Sequence, residues 1–286
     1  MKYLAHLLIV TAAVLAVSCD VIENPIQNPD VGPGDTTLAV KQNVLLEDYT
    51  GHLCGNCPEA AEKAHDIQAL YGKDRVIVIG VHSGPFARVS LPDYPIDWKS
   101  PVGIELDASF GISRAGNPNG LVNRATRNGK FILSQNDWAP AVTALLTQEP
   151  VLGITAETTW DAGTKTITAD VELNYVKSGS VDHFLVGYIT ENGLVGDQLD
   201  YRVSPSHVED FEFEHVLRAS VNGTWGEQVS SSEIAAGTKL ERQLTYTFPA
   251  GKDWKPENCE LVIFVHRLNN PDTKEVVQVI SVPVVE

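Results

Sequence analysis

Two cysteines separated by two residues, Cys54 and Cys57, stand in the segment DYTGHLCGNCP and are followed at once by Pro58. The whole chain has only four cysteines. A Cys-x-x-Cys pair at the start of a helix is chemically distinctive, because unpaired backbone N–H groups and the positive end of the helix dipole stabilise a thiolate. We therefore interpret Cys54 as the attacking thiol and Cys57 as the thiol that resolves the mixed disulfide from within the same turn.

Two other interpretations of the pair stay open. In the first, a disulfide between Cys54 and Cys57 only links the loop to its helix, although a loop closed over so few residues contributes little stability. The cysteines and a nearby histidine, His52 or His82, would also supply soft metal ligands. No second cysteine pair or His-x-x-x-His cluster in the sequence completes such a site. We therefore predict neither a metal nor a cofactor.

The elements that must position the cysteines follow from the residues around them. An apolar run begins at Val44 and predicts a strand that ends at Asp48 and Tyr49. After Pro58, apolar residues recur at helical spacing up to Gly72, which favours a helix with a glycine C-cap. The run RVIVIGVH, residues 75–82, predicts a second strand buried on both faces. A strand, a helix and a strand in this order form a βαβ unit with parallel strands.

Residues 38–149 continue with a helix, two short strands and a last helix, and this region resembles thioredoxin-like proteins. Asp48 lies six residues before Cys54, where the resemblance implies a buried acid that handles the proton of the resolving thiol. Pro118, in the segment GNPNG, stands where the family has a cis-proline that faces the dithiol and pairs with a substrate backbone. The dipeptide Gly55-Asn56 between the cysteines departs from the family's usual one.

Helical signals disappear after Pro150. The segment KTITADVELNYV alternates apolar and polar residues from Ile167 to Tyr175, which predicts a half-buried strand. Similar runs separated by turn residues give about seven strands, a pattern typical of an antiparallel sandwich. The predicted fold class is thus an α/β thioredoxin-like domain over residues 38–149, followed by an all-β immunoglobulin-like sandwich domain over residues 150–286. Cys259, in this second region, is expected to be a buried free thiol.

The N-terminus predicts export. It has one lysine, an apolar run too short to cross a bilayer, and small residues before Cys19, as in a secretion signal. A cysteine at the cleavage position resembles the lipobox of bacterial lipoproteins, which implies a signal peptide over residues 1–18 and an acylated, palmitate-bearing Cys19. The alternative is ordinary cleavage that leaves a free Cys19. Residues 19–37 are rich in Pro, Gly, Asn and Asp and predict a flexible tether.

The charge of the chain excludes some partners. Its 286 residues include 21 basic and 37 acidic side chains, a formal net charge of -16. A surface this acidic repels nucleic acid and anionic lipid head groups. We therefore expect no nucleic-acid role, and we expect contact with the membrane only through the N-terminal lipid anchor.

The segments CGNCP, GNPNGLVNR, HVLRASVNGTWGE and ELVIFVH together resemble an outer-membrane lipoprotein family of Bacteroidetes, named after a 28-kilodalton outer-membrane protein. The resemblance implies a lipid-anchored protein of the outer membrane that faces the periplasm or the cell surface. Two hypotheses on function follow. The protein exchanges thiols and disulfides on client proteins, or it is a surface adhesin or receptor for a host or surface ligand, with a structural disulfide.

Overall fold

The structure is a computed structural model, which describes residues 40–268 and 274–285. That part of the chain contains four α-helices and thirteen strands. The helices are α1 (Cys57–Tyr71), α2 (Pro101–Phe110), α3 (Ile112–Ala115) and α4 (Trp138–Leu146). The strands are β1 (Val44–Thr50), β2 (Val76–His82), β3 (Asn119–Val122), β4 (Leu152–Asp161), β5 (Thr166–Tyr175), β6 (His183–Glu191), β7 (Leu194–Leu199), β8 (His207–Phe213), β9 (Val216–Ser220), β10 (Glu227–Gln228), β11 (Lys239–Thr247), β12 (Cys259–Arg267) and β13 (Val276–Pro283).

The predicted strand, helix and strand around the cysteines are confirmed. β1 and β2 pair in parallel, from Val44 opposite Val76 to Thr50 opposite His82. Nearly every residue of both strands is buried, as expected of parallel strands that are covered on both faces. Helix α1 has Pro58 in its first turn, where the missing N–H costs nothing. It ends at Gly72, whose φ of 99° few other residues adopt easily.

The predicted alternation in β5 is also confirmed. Ile167, Ala169, Val171, Leu173 and Tyr175 are all buried, and the residues between them are not. β5 is the middle strand of a three-stranded antiparallel sheet in the order β11-β5-β4. Its buried side chains pack in one core with apolar residues of β6 and β12, so that two sheets face each other over the C-terminal half of the chain.

One large sheet joins the early strands to the late ones. Its strand order is β13-β12-β6-β9-β2-β1-β3, and β10 also pairs with β6. The junction is the parallel pair of Gly80 in β2 and Val216 in β9, where the Gly80 N–H donates to the carbonyl oxygen of His215 over 2.8 Å. A single core cluster accordingly contains Ile79 of β2 together with Val262 of β12.

The predicted fold class, a thioredoxin-like α/β domain followed by an immunoglobulin-like sandwich, is wrong. Strands account for 41% of the described residues and helices for only 18%. The described residues show no clear thioredoxin α/β domain, because the sheet that contains β1 and β2 continues through β9 into the C-terminal strands. Local periodicity predicts single strands, and it carries no signal that a strand about 135 residues later will pair with β2.

Several sequence predictions fall on parts that the structure does not describe or does not decide. The signal peptide over residues 1–18, the acylated Cys19 and the tether over residues 19–37 lie outside the described residues. The boundary predicted between residues 149 and 150 stays a prediction. Among the described residues, no helix combines the length and the apolar character that crossing a membrane requires.

Candidate functional site

The two cysteines lie where β1 passes into α1. Cys54 is in the connecting loop, Cys57 is the first residue of α1, and the two form a disulfide. The Cys57 N–H donates to the carbonyl oxygen of Cys54 over 3.1 Å. Asn56, the N-cap residue, makes no side-chain hydrogen bond to the helix. The first-turn N–H groups of α1 are thus not capped by a side chain, which favours an anionic sulfur close to them.

Asp48 lies one residue before the end of β1, directly opposite Gly80 of β2. Only 4% of its surface is exposed, and its Oδ1 atom has no hydrogen-bond partner. Burial raises the pKa of the Asp48 carboxyl to about 7. A carboxyl with this pKa exchanges a proton readily near neutral pH, which is a requirement for a general acid or base.

Pro118 lies immediately before β3 and forms a cis peptide bond with Asn117. β3 pairs with β1 in the antiparallel sense, with Asn119 opposite Tyr49. Pro118 directly precedes Asn119, and Thr50, the last residue of β1 before the cysteine loop, directly follows Tyr49. Pro118 is therefore next to the end of the β1–β3 pairing from which the cysteine loop continues.

A β-hairpin that the sequence analysis missed lies over the cysteine loop. It is formed by β7 and β8, residues 194–213, and we call it the covering hairpin. The Leu199 N–H donates to the carbonyl oxygen of His52 over 2.8 Å, and the Tyr201 N–H donates to that of Gly55 over 2.9 Å. Gln198 Nε2 donates to the carbonyl oxygen of Cys54 over 3.1 Å. The backbone of the Cys-x-x-Cys motif is thereby fixed to a segment far along the chain.

The covering hairpin also explains the glycine between the cysteines. A Cβ atom at Gly55 would lie 2.6 Å from the ring of Tyr201, so the aromatic ring rests directly on the backbone of the motif. Cys54 is 3% exposed and Cys57 is 1% exposed. The alternation of Phe211 and Phe213 in the segment EDFEFEH is a signal for β8, but it contains no information on where that strand docks.

A cavity of about 230 Å³ lies beside Cys57, and we call it the Asp48 cavity. Its walls include Asp48, Cys57 and His82, together with Phe211 and Phe213 of the covering hairpin. His82 is the last residue of β2, and neither of its ring nitrogens has a hydrogen-bond partner. Burial lowers the pKa of the His82 ring to about 3, so the ring is neutral at physiological pH.

The remaining candidate residues are placed apart from this cavity. His52 does not line it; its Nε2 atom lies 2.8 Å from the carbonyl oxygen of Arg88, and its ring stacks on Tyr94. Cys259 is a buried free thiol, as predicted, and burial raises its pKa. Within the described ranges, no group of three or more His, Cys, Asp or Glu residues is arranged to hold a metal ion.

Comparison with solved structures supports the observed fold. The chain is similar to HBP35 of Porphyromonas gingivalis, with 15% identity, a TM-score of 0.62, and coverage of 86% of this chain and 76% of that one. It also aligns with a domain of the outer membrane lipoprotein Omp28 from the same organism, at 20% identity over 48% of this chain and 91% of that one. The TM-score of that second match is 0.31, too low to bear on the fold.

Comparison of sequences identifies the family. No curated protein matches the chain. The family model for the outer membrane protein Omp28 matches residues 105–286, well over half of the chain. This match confirms the predicted resemblance to an outer-membrane lipoprotein family of Bacteroidetes. The chain therefore belongs to the Omp28 family of outer membrane proteins, and its location is the outer membrane.

Proposed function

We propose that this outer membrane protein exchanges thiols and disulfides on exported client proteins through Cys54 and Cys57. One observation carries the proposal: Cys57 and Asp48, whose Oδ1 atom has no hydrogen-bond partner, line the same cavity beside the N-terminus of α1. A redox-active pair needs a stabilised thiolate and a group that exchanges the proton of the second thiol. In this proposal the N-terminus of α1 stabilises the thiolate and Asp48 exchanges the proton.

The exchange begins from the reduced pair. The Cys54 thiolate attacks a client disulfide, so that a mixed disulfide forms and one client sulfur leaves as a thiolate. Asp48, in its ionised form, then takes the proton of Cys57, and the Cys57 thiolate attacks the Cys54 sulfur. The client leaves with both sulfurs reduced, and the protein is left with its disulfide. The same steps in reverse oxidise a client dithiol.

A second candidate function rests on the burial of the cysteines. Because the covering hairpin leaves 3% of Cys54 and 1% of Cys57 exposed, a client reaches Cys54 only if that hairpin moves. In this alternative the disulfide is structural, and the protein is a surface adhesin or receptor whose β-rich part binds a host or surface ligand.

The reduction potential of the Cys54/Cys57 pair separates the two functions. We would measure it on the full chain in detergent, by thiol labelling in glutathione buffers. A value between about -270 and -120 mV, the range of exchange enzymes, supports thiol-disulfide exchange. A value well below about -300 mV is that of a structural disulfide and supports the adhesin or receptor.

Trapping identifies the clients directly. Cys57→Ser removes the resolving thiol, so mixed disulfides between Cys54 and clients cannot be resolved and accumulate. The matched control is the double variant Cys54→Ser, Cys57→Ser, which retains Cys259 and captures nothing if Cys54 is the attacking thiol. Recovery of the same proteins with the double variant would contradict the proposed chemistry.

We further propose that a lipid on Cys19 anchors the protein. The support is the sequence before Cys19 and the family's location in the outer membrane. Cells grown with labelled palmitate should incorporate label into the wild-type chain and none into Cys19→Ser. Equal labelling of the two chains would refute the anchor, and digestion of intact cells with protease would distinguish display on the surface from display toward the periplasm.

A further inference from the structure

We propose that the Asp48 cavity is the entry site of a low-molecular-mass thiol, which reduces the disulfide by attack on Cys57. The proposal rests on the proposed function, because it names the reductant of the same cysteine pair. It assigns the two cysteines to different partners: clients react at Cys54, and the small thiol reacts at Cys57.

The cavity has walls on three sides. The first is the face of the sheet that carries Asp48, Gly80 and His82. The second is the first turns of α1, with Cys57. The third is the end of the covering hairpin, with the ring of Phe213. Cys54 does not line the cavity, so a molecule inside it meets only one of the two cysteines.

Two buried polar side chains face this space without partners. Oδ1 of Asp48 and both ring nitrogens of His82 accept or donate no hydrogen bond within the protein, and both residues are 4% exposed. Buried polar groups are nearly always paired, and an unpaired one destabilises the fold. These atoms lie just beneath the surface of the cavity, and a polar molecule there would satisfy them once the two side chains turn toward it.

The size of the cavity limits the class of molecule. A volume of about 230 Å³ corresponds to roughly seven water molecules at about 30 Å³ each, and it is smaller than the roughly 300 to 1,000 Å³ of pockets for drug-sized ligands. A free amino-acid thiol such as cysteine has this scale, whereas a peptide strand does not. The cavity lining includes Ala61, Glu62 and His65, which are exposed on α1, so the cavity opens to solvent there.

The chemistry balances with two equivalents of the thiol. The first gives its proton to Asp48, and its thiolate attacks the Cys57 sulfur. The sulfur-sulfur bond breaks, and its electron pair leaves with Cys54, which the N-terminus of α1 stabilises as a thiolate. The second equivalent gives its proton to the Cys54 thiolate, and its own thiolate attacks the small thiol's sulfur in the mixed disulfide. Cys57 leaves and takes the proton held by Asp48, the two small thiols are oxidised to their disulfide, and the cysteine pair is reduced.

The test compares a small thiol with the same thiol attached to a bulky polymer. We would follow reduction of the full chain in detergent by free cysteine and by cysteine coupled through its carboxyl group to a polymer wider than the cavity. Ala61→Trp places a large ring at the exposed mouth of the cavity. Ala69→Trp is the matched control, because Ala69 is exposed on the same helix and does not line the cavity.

We expect free cysteine to react at least about tenfold faster than the polymer thiol, and Ala61→Trp to slow only free cysteine, because exchange rates depend on access to the attacked sulfur. The mixed disulfide, trapped by acid and mapped by mass spectrometry, should be on Cys57. Equal rates for the two thiols, an unaffected Ala61→Trp, or a mixed disulfide on Cys54 would overturn the cavity proposal and leave thiol exchange with clients intact. A disulfide that resists every thiol would overturn both proposals.

Discussion

Replacing Asp48 by Asn should stabilise the protein, and the gain should grow with pH. In the folded chain burial raises the pKa of the Asp48 carboxyl from 3.8 to about 7. The unfolded chain releases this proton near pH 4, whereas the folded chain holds it until about pH 7. Between these values the unfolded state binds fewer protons, so the stability of the wild-type protein falls as the pH rises.

The magnitude follows from the same difference. Each unit of pKa difference corresponds to about 1.4 kcal/mol, so the step from 3.8 to about 7 amounts to about 4 kcal/mol of unfolding free energy over the full range. The isoelectric point is about 4.8, and proteins precipitate readily near zero net charge. A comparison between pH 5.5 and pH 8.5 avoids that region and retains about 2 kcal/mol of the effect.

Urea denaturation of the oxidised protein at these two pH values provides the measurement. The unfolding free energy of Asp48→Asn relative to wild type should rise by about 2 kcal/mol from the lower to the higher pH. Asp66→Asn, at an exposed acid of the same helix that carries Cys57, is the matched control and should show no such rise. If the unfolding free energies of Asp48→Asn and wild type differ by the same amount at both pH values, a buried carboxyl with a raised pKa at this position is refuted.

Three further outcomes test other parts of the structure. Two guanidinium nitrogens of Arg124 lie 2.8 and 2.9 Å from the buried carboxylate of Glu47. Arg124→Ala leaves this carboxylate without its partner and should lower the unfolding free energy measured in urea by about 3 to 5 kcal/mol. Cys259 should resist iodoacetamide at pH 8 in the folded protein and react in urea, since burial raises the pKa of its thiol. Gly55→Ala should displace Tyr201, whose ring lies 2.6 Å from the added methyl position, and should increase the rate at which a polymer-bound thiol reduces the disulfide. An unchanged rate would show that the covering hairpin does not limit access.

The sequence predicts those parts of the site that depend on neighbours along the chain. Asp48 and Cys57 are close because a strand, a short loop and a helix follow one another, and periodicity and capping residues reveal these elements. In the sequence alone, His82 is a candidate only as a metal ligand. Its place in the Asp48 cavity follows from the parallel register that sets it opposite Thr50, and a strand pattern does not specify register with its partner.

The covering hairpin and the shared sheet depend on contacts between distant residues. Gln198 binds the backbone of Cys54 across 144 residues, and Val216 pairs with Gly80. Neither residue type indicates its partner, because a backbone hydrogen bond is available to almost every residue. The predicted fold class is wrong for this reason. Local pattern predicts single elements, whereas the pairing of β9 with β2 joins into one sheet the two regions that the sequence analysis assigned to separate domains.

The long separation in sequence between the cysteines and the hairpin that covers them also sets an order of events during export. A chain that crosses a membrane from its N-terminus delivers Cys54 and Cys57 long before Gln198 and Tyr201 arrive, since Gln198 comes 144 residues after Cys54. Contacts over such separations form late in folding. For that interval the newly exported pair is open to any oxidant or reductant around it, and the last strands of the large sheet are still to be added. The compartment through which the chain passes thus decides whether the cysteine pair is oxidised or reduced when the hairpin encloses it.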